Sequence, residues 1–340
     1  MLQSTSPPFD EPVATSGAAL GRTFGGHPSG SLPAALDGVR RTIETEAGRV
    51  AYYASDNSTG RPLLLIHSVN AAGSAAEMRP LFEHYASQRP VYAMELPGFG
   101  ASERTRRDYT PRLMTDAVLA MQAEIARRHG SVPIDAVALS LGCEYLARAA
   151  TEARSAFRSL ALVSPTGFEG GDTRRGAPCS SREIRWLHAL LAQPWFGPRL
   201  YGLLVRPRVI RYFLERTWGS KAIDETLCAY NAITTHVPGA VHAPLAFLAA
   251  QPFSADANNV YDDVSCPVWL AHGVRGSFVD FKGAKALLQG GTWSCTAFQT
   301  GAIPYFEAPA LFVAHYEAFV RRSLASQSTA SSGYGLEPAA

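Results

Sequence analysis

Eight short strand-like runs, most of them apolar and separated for most of the chain by longer stretches with helical periodicity, constrain this fold more than any other feature. The runs fall at 39–44, 50–54, 62–67, 90–96, 134–139, 160–164, 267–272 and 292–299. Runs of this length that stay apolar at successive positions suit strands buried on both faces, as in a parallel sheet. The clearest helical stretch opens with Thr110 as N-cap and Pro111 at the first position, and stops at Gly130. Its Leu113, Met114, Ala117, Val118, Met121 and Ile125 share one face. Two early strands with no helix between them, then alternating units joined by right-handed crossovers, imply an α/β chain. The expected fold is a doubly wound, mostly parallel eight-stranded sheet with helices on both sides.

The alternation breaks over 166–265, a stretch that holds Trp186, Trp195 and Trp218 and has helical but no strong strand character. A separate helical domain is the alternative, but strands resume afterwards, which favours an insertion covering one end of the sheet. The core then comprises 37–165 and 266–324. Segments 1–36 and 325–340, rich in Ser, Ala, Gly and Pro, read as flexible tails.

Composition narrows the function classes. A 46% hydrophobic share supports a sizeable core, and a net charge of +2 without a dense basic block argues against nucleic acid as a partner. The only lysines are Lys221, Lys282 and Lys285, none in a context that suggests Schiff-base chemistry. No apolar run reaches the ~18 residues of a spanning helix, and the first residues do not read as a signal peptide, so no membrane partner is expected. Five scattered cysteines fit reduced thiols in a cytoplasmic protein, and no His, Cys, Asp or Glu cluster has metal-ligand spacing.

The stretch Val137-Ala138-Leu139-Ser140-Leu141-Gly142-Cys143 carries the chemistry. A strand runs into Ser140 and a helical segment follows without a loop, with small residues two before and two after. A nucleophile on so sharp a turn needs small neighbours, and the turn puts the Leu141 N–H at a helix start, where developing negative charge is stabilised. The bland alternative is a serine serving as a plain helix N-cap.

On these residues the chain resembles the α/β-hydrolase superfamily over about 39–322. Three further motifs match in order. The segment from Pro62 to Ser74 resembles the family's strand and His-Gly loop, with Ser68 where glycine is usual, and the resemblance makes Val69 N–H a second oxyanion donor beside Leu141. The turn from Glu95 to Ser102 (ELPGFGAS) resembles the family's structural D-x-P-G-x-G-x-S turn, and 166–265 corresponds to its lid. The resemblance implies Ser140 as nucleophile, a small-molecule substrate and no cofactor.

Both partners of the serine depart from the family's pattern. In the acid's H-G-x-x-D context the chain reads His272-Gly273-Val274-Arg275-Gly276, with Asp280 the nearest carboxylate. In the base's G-H-x-P-x-x-E context Ala302 takes the histidine's place. Substitute bases are sought among the remaining histidines. His67 and His272 are strand-end residues and His315 lies in the last helix, whereas His236 and His242 lie in a Pro/Gly-rich loop near the end of the insertion. His236 is the favoured candidate base and Asp280 the candidate acid, with Glu169 and Glu144 as further acids whose ordinary reading is a solvated carboxylate. Three functions follow. The first is a serine hydrolase acting on a small apolar ester, thioester or related carbonyl. The others are a catalytically degenerate protein that binds a small ligand or protein partner, and a lyase-like enzyme using the same pocket.

Overall fold

A computed structural model of the protein describes residues 32–55, 58–169 and 173–332. Residues from Ala34 onward group as one compact unit; of the other, Met1–Pro33, only Leu32 and Pro33 are described. The tail expected over 1–36 therefore lies almost wholly outside the described residues, and so does His27.

All eight runs form strands: β1 (Val39–Thr45), β2 (Gly48–Ser55), β3 (Leu63–Ile66), β4 (Val91–Met94), β5 (Ile134–Leu139), β6 (Phe157–Val163), β7 (Val268–Gly273) and β8 (Trp293–Phe298). They make one sheet in the order β1-β2-β4-β3-β5-β6-β7-β8. The β1–β2 and β2–β4 pairs are antiparallel and every later pair is parallel. Alternate residues of each strand face opposite sides. Leu64, Ile66, Ala136, Ala138, Leu160, Leu162, Val268 and Leu270 pack into one core with α2 (Pro111–His129) and α3 (Gly142–Glu152), which follow α1 (Arg79–Tyr85) in the chain. On the other face Trp269 lies against Phe312, Tyr316 and Phe319. Burial on both faces is the physical reason the central runs, β3, β4 and β5, lack polar alternation.

The α2 boundaries follow its capping chemistry. Thr110 Oγ1 accepts the Leu113 N–H at 3.3 Å, Pro111 opens the helix, and Gly130 ends it at φ +77°.

Between β6 and β7 the described chain forms α4 (Arg185–Leu191), α5 (Gly197–Leu204), α6 (Pro207–Trp218), α7 (Glu225–Thr234), α8 (His242–Leu248) and α9 (Ala257–Asp262), plus one isolated bridge from Ser181 to Ser254. Three polar anchors tie this segment to the sheet's connections. Arg79 pairs with Asp224 at 2.8 Å, Arg104 donates to Thr234 O at 2.8 Å, and Arg148 pairs with Asp256 at 2.6 Å. Arg79, Arg104 and Arg148 belong to the connections leaving β3, β4 and β5, so the helical segment is held at the C-terminal ends of those strands. After β7 come α10 (Lys285–Gln289), α11 (Pro304–Glu307) and α12 (Pro309–Ser332). Helix α12 continues to Ser332, into the stretch expected to be a tail from 325, because no Pro or Gly interrupts the chain before Gly333.

Candidate functional site

The order of the sheet reverses direction around β3 and β5, and in open α/β sheets a crevice opens at the carboxyl ends of such neighbouring strands. Ser140 sits at that end of β5. Its φ is +53°, a left-handed conformation uncommon for a residue with a side chain, and its N–H donates to Val163 O at 2.8 Å. The strain of order 1–3 kcal/mol in such a conformation persists only where surrounding structure holds it. Helix α3 begins directly afterwards, and the Cys143 N–H returns to Ser140 O at 3.0 Å. A Cβ on Gly142 would lie 2.6 Å from His67 O and 3.2 Å from Ile66 Cγ2. Glycine there lets the start of α3 approach β3. The Ser140 side chain is half-buried, and its hydroxyl has no hydrogen-bond partner among the described residues.

The loop after β3 is held from beneath by a buried carboxylate. Glu77 Oε2 accepts the Ser68 N–H at 2.8 Å, while Oε1 accepts from Ser68 Oγ at 3.0 Å and Asn70 Nδ2 at 2.8 Å. Asn70 Oδ1 in turn accepts the Ala72 N–H at 2.7 Å. Burial leaves the Glu77 carboxyl raised above its ordinary range, with these donors offsetting only part of the shift. The network fixes residues 68–72, leaving the N–H groups of Val69 and Leu141 without an acceptor among the described residues. Sequence reading missed Glu77. Its signal was Ser68 itself, a hydroxyl where the resembled family carries glycine and so a donor that needs a buried partner.

Glu95 is enclosed by its turn. Ser102 Oγ donates to Glu95 O at 2.6 Å, Ala75 N–H donates to Glu95 Oε2 at 3.1 Å, and Oε1 has no hydrogen-bond partner. Burial pushes this carboxyl up to about 7. Nearby, His67 is pushed down to about 4 by burial. Its Nδ1 faces Ser68 O at 2.6 Å, and its Nε2 accepts the Leu96 N–H at 2.9 Å. Both ring nitrogens are thereby occupied and the ring is neutral, so the 3.9 Å approach of His67 Nε2 to Glu95 Oε2 is not an ion pair near neutral pH.

The positions aligned with the family's base and acid are closed by backbone. Ala302 is buried; its N–H donates to Thr217 O at 2.8 Å and its carbonyl accepts from Ser164 Oγ at 2.7 Å. A Cβ on Gly301 would stand 2.5 Å from Thr217 O, and one on Gly276 would stand 2.4 Å from Arg216 O. Gly276 itself has φ +80°, and Gly219, which ends α6 at φ +59°, would put a Cβ 2.4 Å from Gly276 N. A Cβ on Gly273 would fall 1.9 Å from Gly301 O. The four glycines thus form a seam along which the last turn of α6 lies directly on both loops. Glu307 completes it, accepting the Gly301 N–H at 2.6 Å and pairing with Arg275.

The remaining candidates are dispersed. His236 is exposed; its Nδ1 lies 2.7 Å from Ala232 O and 3.1 Å from Thr235 Oγ1, and no hydrogen bond joins it to Ser140. Asp280 Oδ1 accepts the Lys282 N–H at 3.2 Å. His242 opens α8 rather than lying in a loop. His272 stacks on Phe281 with centroids 4.4 Å apart, and His315 meets Phe298 edge-on. Glu169 accepts from Gly167 N and Arg174. Glu144 is no solvated carboxylate: it is buried, accepting from Thr166, Arg174 and the Ser254 N–H because it bridges α3 to the early and late parts of the 166–265 segment. Among the described residues no imidazole hydrogen-bonds Ser140, and no group of three or more His, Cys, Asp or Glu is placed to hold a metal ion.

A family model described as the alpha/beta hydrolase fold matches residues 61–213. Among solved structures the chain is similar to a putative lipase from Acinetobacter baumannii, at 19% identity and TM-score 0.64, covering 85% of this chain and 92% of that one. It is similar to a thermophilic esterase from Thermogutta terrifontis at 18% identity and TM-score 0.61, with 84% and 99% covered. An enol-lactonase from Burkholderia xenovorans matches at 12% identity and TM-score 0.62, with 83% and 100% covered. No curated protein sequence matches the chain.

Proposed function

We propose that the chain is an α/β-hydrolase that acts as an esterase-like protein on a small, fairly apolar ester, thioester or related carbonyl compound, a reading supported by the alpha/beta hydrolase fold model matching residues 61–213. In this reading Ser140 is the nucleophile, the substrate's carbonyl oxygen sits between the Val69 and Leu141 N–H groups, and no resident imidazole relays the proton. The observation that carries it is Ser140 held at φ +53° with an unpartnered hydroxyl, at a helix start whose first amide is also unpartnered. A serine kept in a strained conformation by its surroundings is expected where its hydroxyl must point into a site.

The magnitude of catalysis follows from what is kept and what is lost. An acyl-transfer site that loses a triad member keeps roughly 10³–10⁴-fold acceleration over water from the oxyanion donors and binding. Turnover is therefore slow and restricted to substrates whose leaving group departs without protonation. The helical segment 166–265, docked at the carboxyl ends of β3, β4 and β5, serves as a lid that shapes the pocket. His236 and Asp280 have no part in this reading, since neither hydrogen-bonds to Ser140.

Fluorophosphonate labelling of the wild type against Ser140→Ala tests the proposal. Slow labelling that disappears in Ser140→Ala is expected. Equal labelling of both proteins, or none of either, removes Ser140 as a nucleophile. The closed seam at Gly276 and Ala302 supports a second reading, a site that holds a carbonyl compound without turnover. A trifluoromethyl ketone that binds wild type and Ser140→Ala alike, with no labelling of either, selects that reading.

A further inference from the structure

Helices α4, α5 and α6 carry an outer surface unlike the rest of the molecule. Trp186 is 70% exposed and Trp195 60%, and Leu203, Tyr212 and Phe213 are exposed as well. On α6 the residues Ile210, Leu214 and Trp218 face inward, while Arg208, Tyr212 and Arg216, also four apart, face outward. On α5 Arg199 and Leu203 repeat that outward spacing. The three helices are neighbours: α5 packs on α6 and α8, and α4 packs on α8.

The exposed charges over 184–216 are all of one sign. Arg185, Arg199, Arg206, Arg208 and Arg216 are exposed, whereas Glu183 and Glu215 are only partly so. None of the five arginines pairs with a carboxylate among the described residues; Arg199 donates to Trp195 O, and Arg216 lies over the Tyr212 ring. A second observation extends the surface. The Ser277 N–H donates to Arg216 O at 2.9 Å, and the next residue, Phe278, is 61% exposed at φ +68°. A bulky aromatic held outward in the left-handed region is a strained arrangement of the kind that marks a contact site.

We propose that this face docks the protein onto an anionic lipid bilayer. Aromatic rings prefer the boundary between headgroups and acyl chains, and arginines reach phosphate while their stems stay in apolar surroundings. The intermixing of the two types along α4–α6 matches that boundary, and no carboxylate within 184–216 is exposed to oppose anionic headgroups, the nearby exposed Glu225 being paired with Arg211. The docking is peripheral, since no helix among the described residues is long and apolar enough to cross a membrane. It brings the helical segment beside Ser140 to the lipid surface, and it is independent of whether Ser140 turns over.

The test is co-sedimentation of the full chain with vesicles of phosphatidylcholine alone and of phosphatidylcholine mixed with phosphatidylglycerol, at low and high salt. Binding to the mixed vesicles, weakened by salt, is expected. Trp186→Ser with Trp195→Ser should reduce it, and Arg199→Glu with Arg208→Glu should reduce it by more than about fivefold per arginine lost. Far-UV circular dichroism confirms that the variants fold, which these exposed positions permit. No binding to mixed vesicles at low salt, or binding unchanged in both variants, overturns the proposal. It is likewise overturned if light scattering finds a dimer that the tryptophan substitutions dissociate, since the face would then belong to a second copy.

Discussion

Restoring the residues that the superfamily's pattern calls for should damage this protein rather than activate it. Gly276 stands at the acid's aligned position with φ +80°. A side chain there costs about 1–2 kcal/mol from the left-handed backbone alone. Its Cβ would also meet Arg216 O at 2.4 Å and Gly219 N at 2.7 Å, both backbone atoms that cannot swing aside. Forcing such an overlap costs typically ~1–3 kcal/mol, so Gly276→Asp should lose about 2–5 kcal/mol in all. At ~2–4 °C per kcal/mol for a chain of this size, the melting temperature falls by roughly 4–20 °C. Gly276→Ala isolates the cause, because it keeps the backbone strain and the Cβ collision without the charge. Differential scanning calorimetry of both variants should give similar losses. Adding Ala302→His to Gly276→Asp should not raise hydrolysis of a p-nitrophenyl ester, since the Ala302 amide is tied to Thr217 O and its side chain is already enclosed. An unshifted melting temperature for Gly276→Ala, or a large gain in ester hydrolysis by the double variant, refutes the reasoning from the seam.

Two further outcomes follow from single buried groups. Glu95 holds its proton to about pH 7 when folded, against 4.5 in the unfolded chain. Over that interval the unfolded state releases a proton the folded state keeps, so stability falls as pH rises. The loss is on the order of 3 kcal/mol and is complete above pH ~7. Glu95→Gln, which cannot ionise, should gain stability relative to the wild type across that window in urea titrations; a difference that does not change with pH rules the assignment out. Gly142→Ala places a Cβ 2.6 Å from His67 O and should push α3 away from β3, at about 1–3 kcal/mol partly offset by alanine's better helix propensity. Fluorophosphonate labelling of Ser140 should slow more than the stability loss explains, and unchanged labelling with an unchanged urea midpoint contradicts it.

What the sequence disclosed and what it withheld divide along one physical line. Strands such as Leu63–Ile66 and Val91–Met94 were legible because a run buried on both faces is apolar throughout unless a buried partner answers its polar group. The boundaries of α2 were legible because Thr110, Pro111 and Gly130 act on backbone groups within a few residues of themselves. The turn at Ser140 announced itself for the same reason, since its tightness selects small neighbours in the same short stretch. The seam was hidden because its cause is distant in the chain. Gly273, Gly276 and Gly301 look like ordinary loop glycines until Thr217, Trp218 and Gly219 are brought onto them. Glu77 was hidden likewise, its partners lying in a loop whose path local spacing does not specify. The same distinction changes how the missing histidine is to be understood. Read along the chain, Ala302 is a single substitution within an otherwise preserved motif. In three dimensions the last turn of α6 lies directly on both loops, and Ala302 N–H and Thr217 O complete each other. A base for Ser140 therefore cannot be supplied by substitution at the old positions without first moving α6. If Ser140 is the nucleophile we propose, its hydroxyl proton leaves in the resting fold by way of the substrate or solvent.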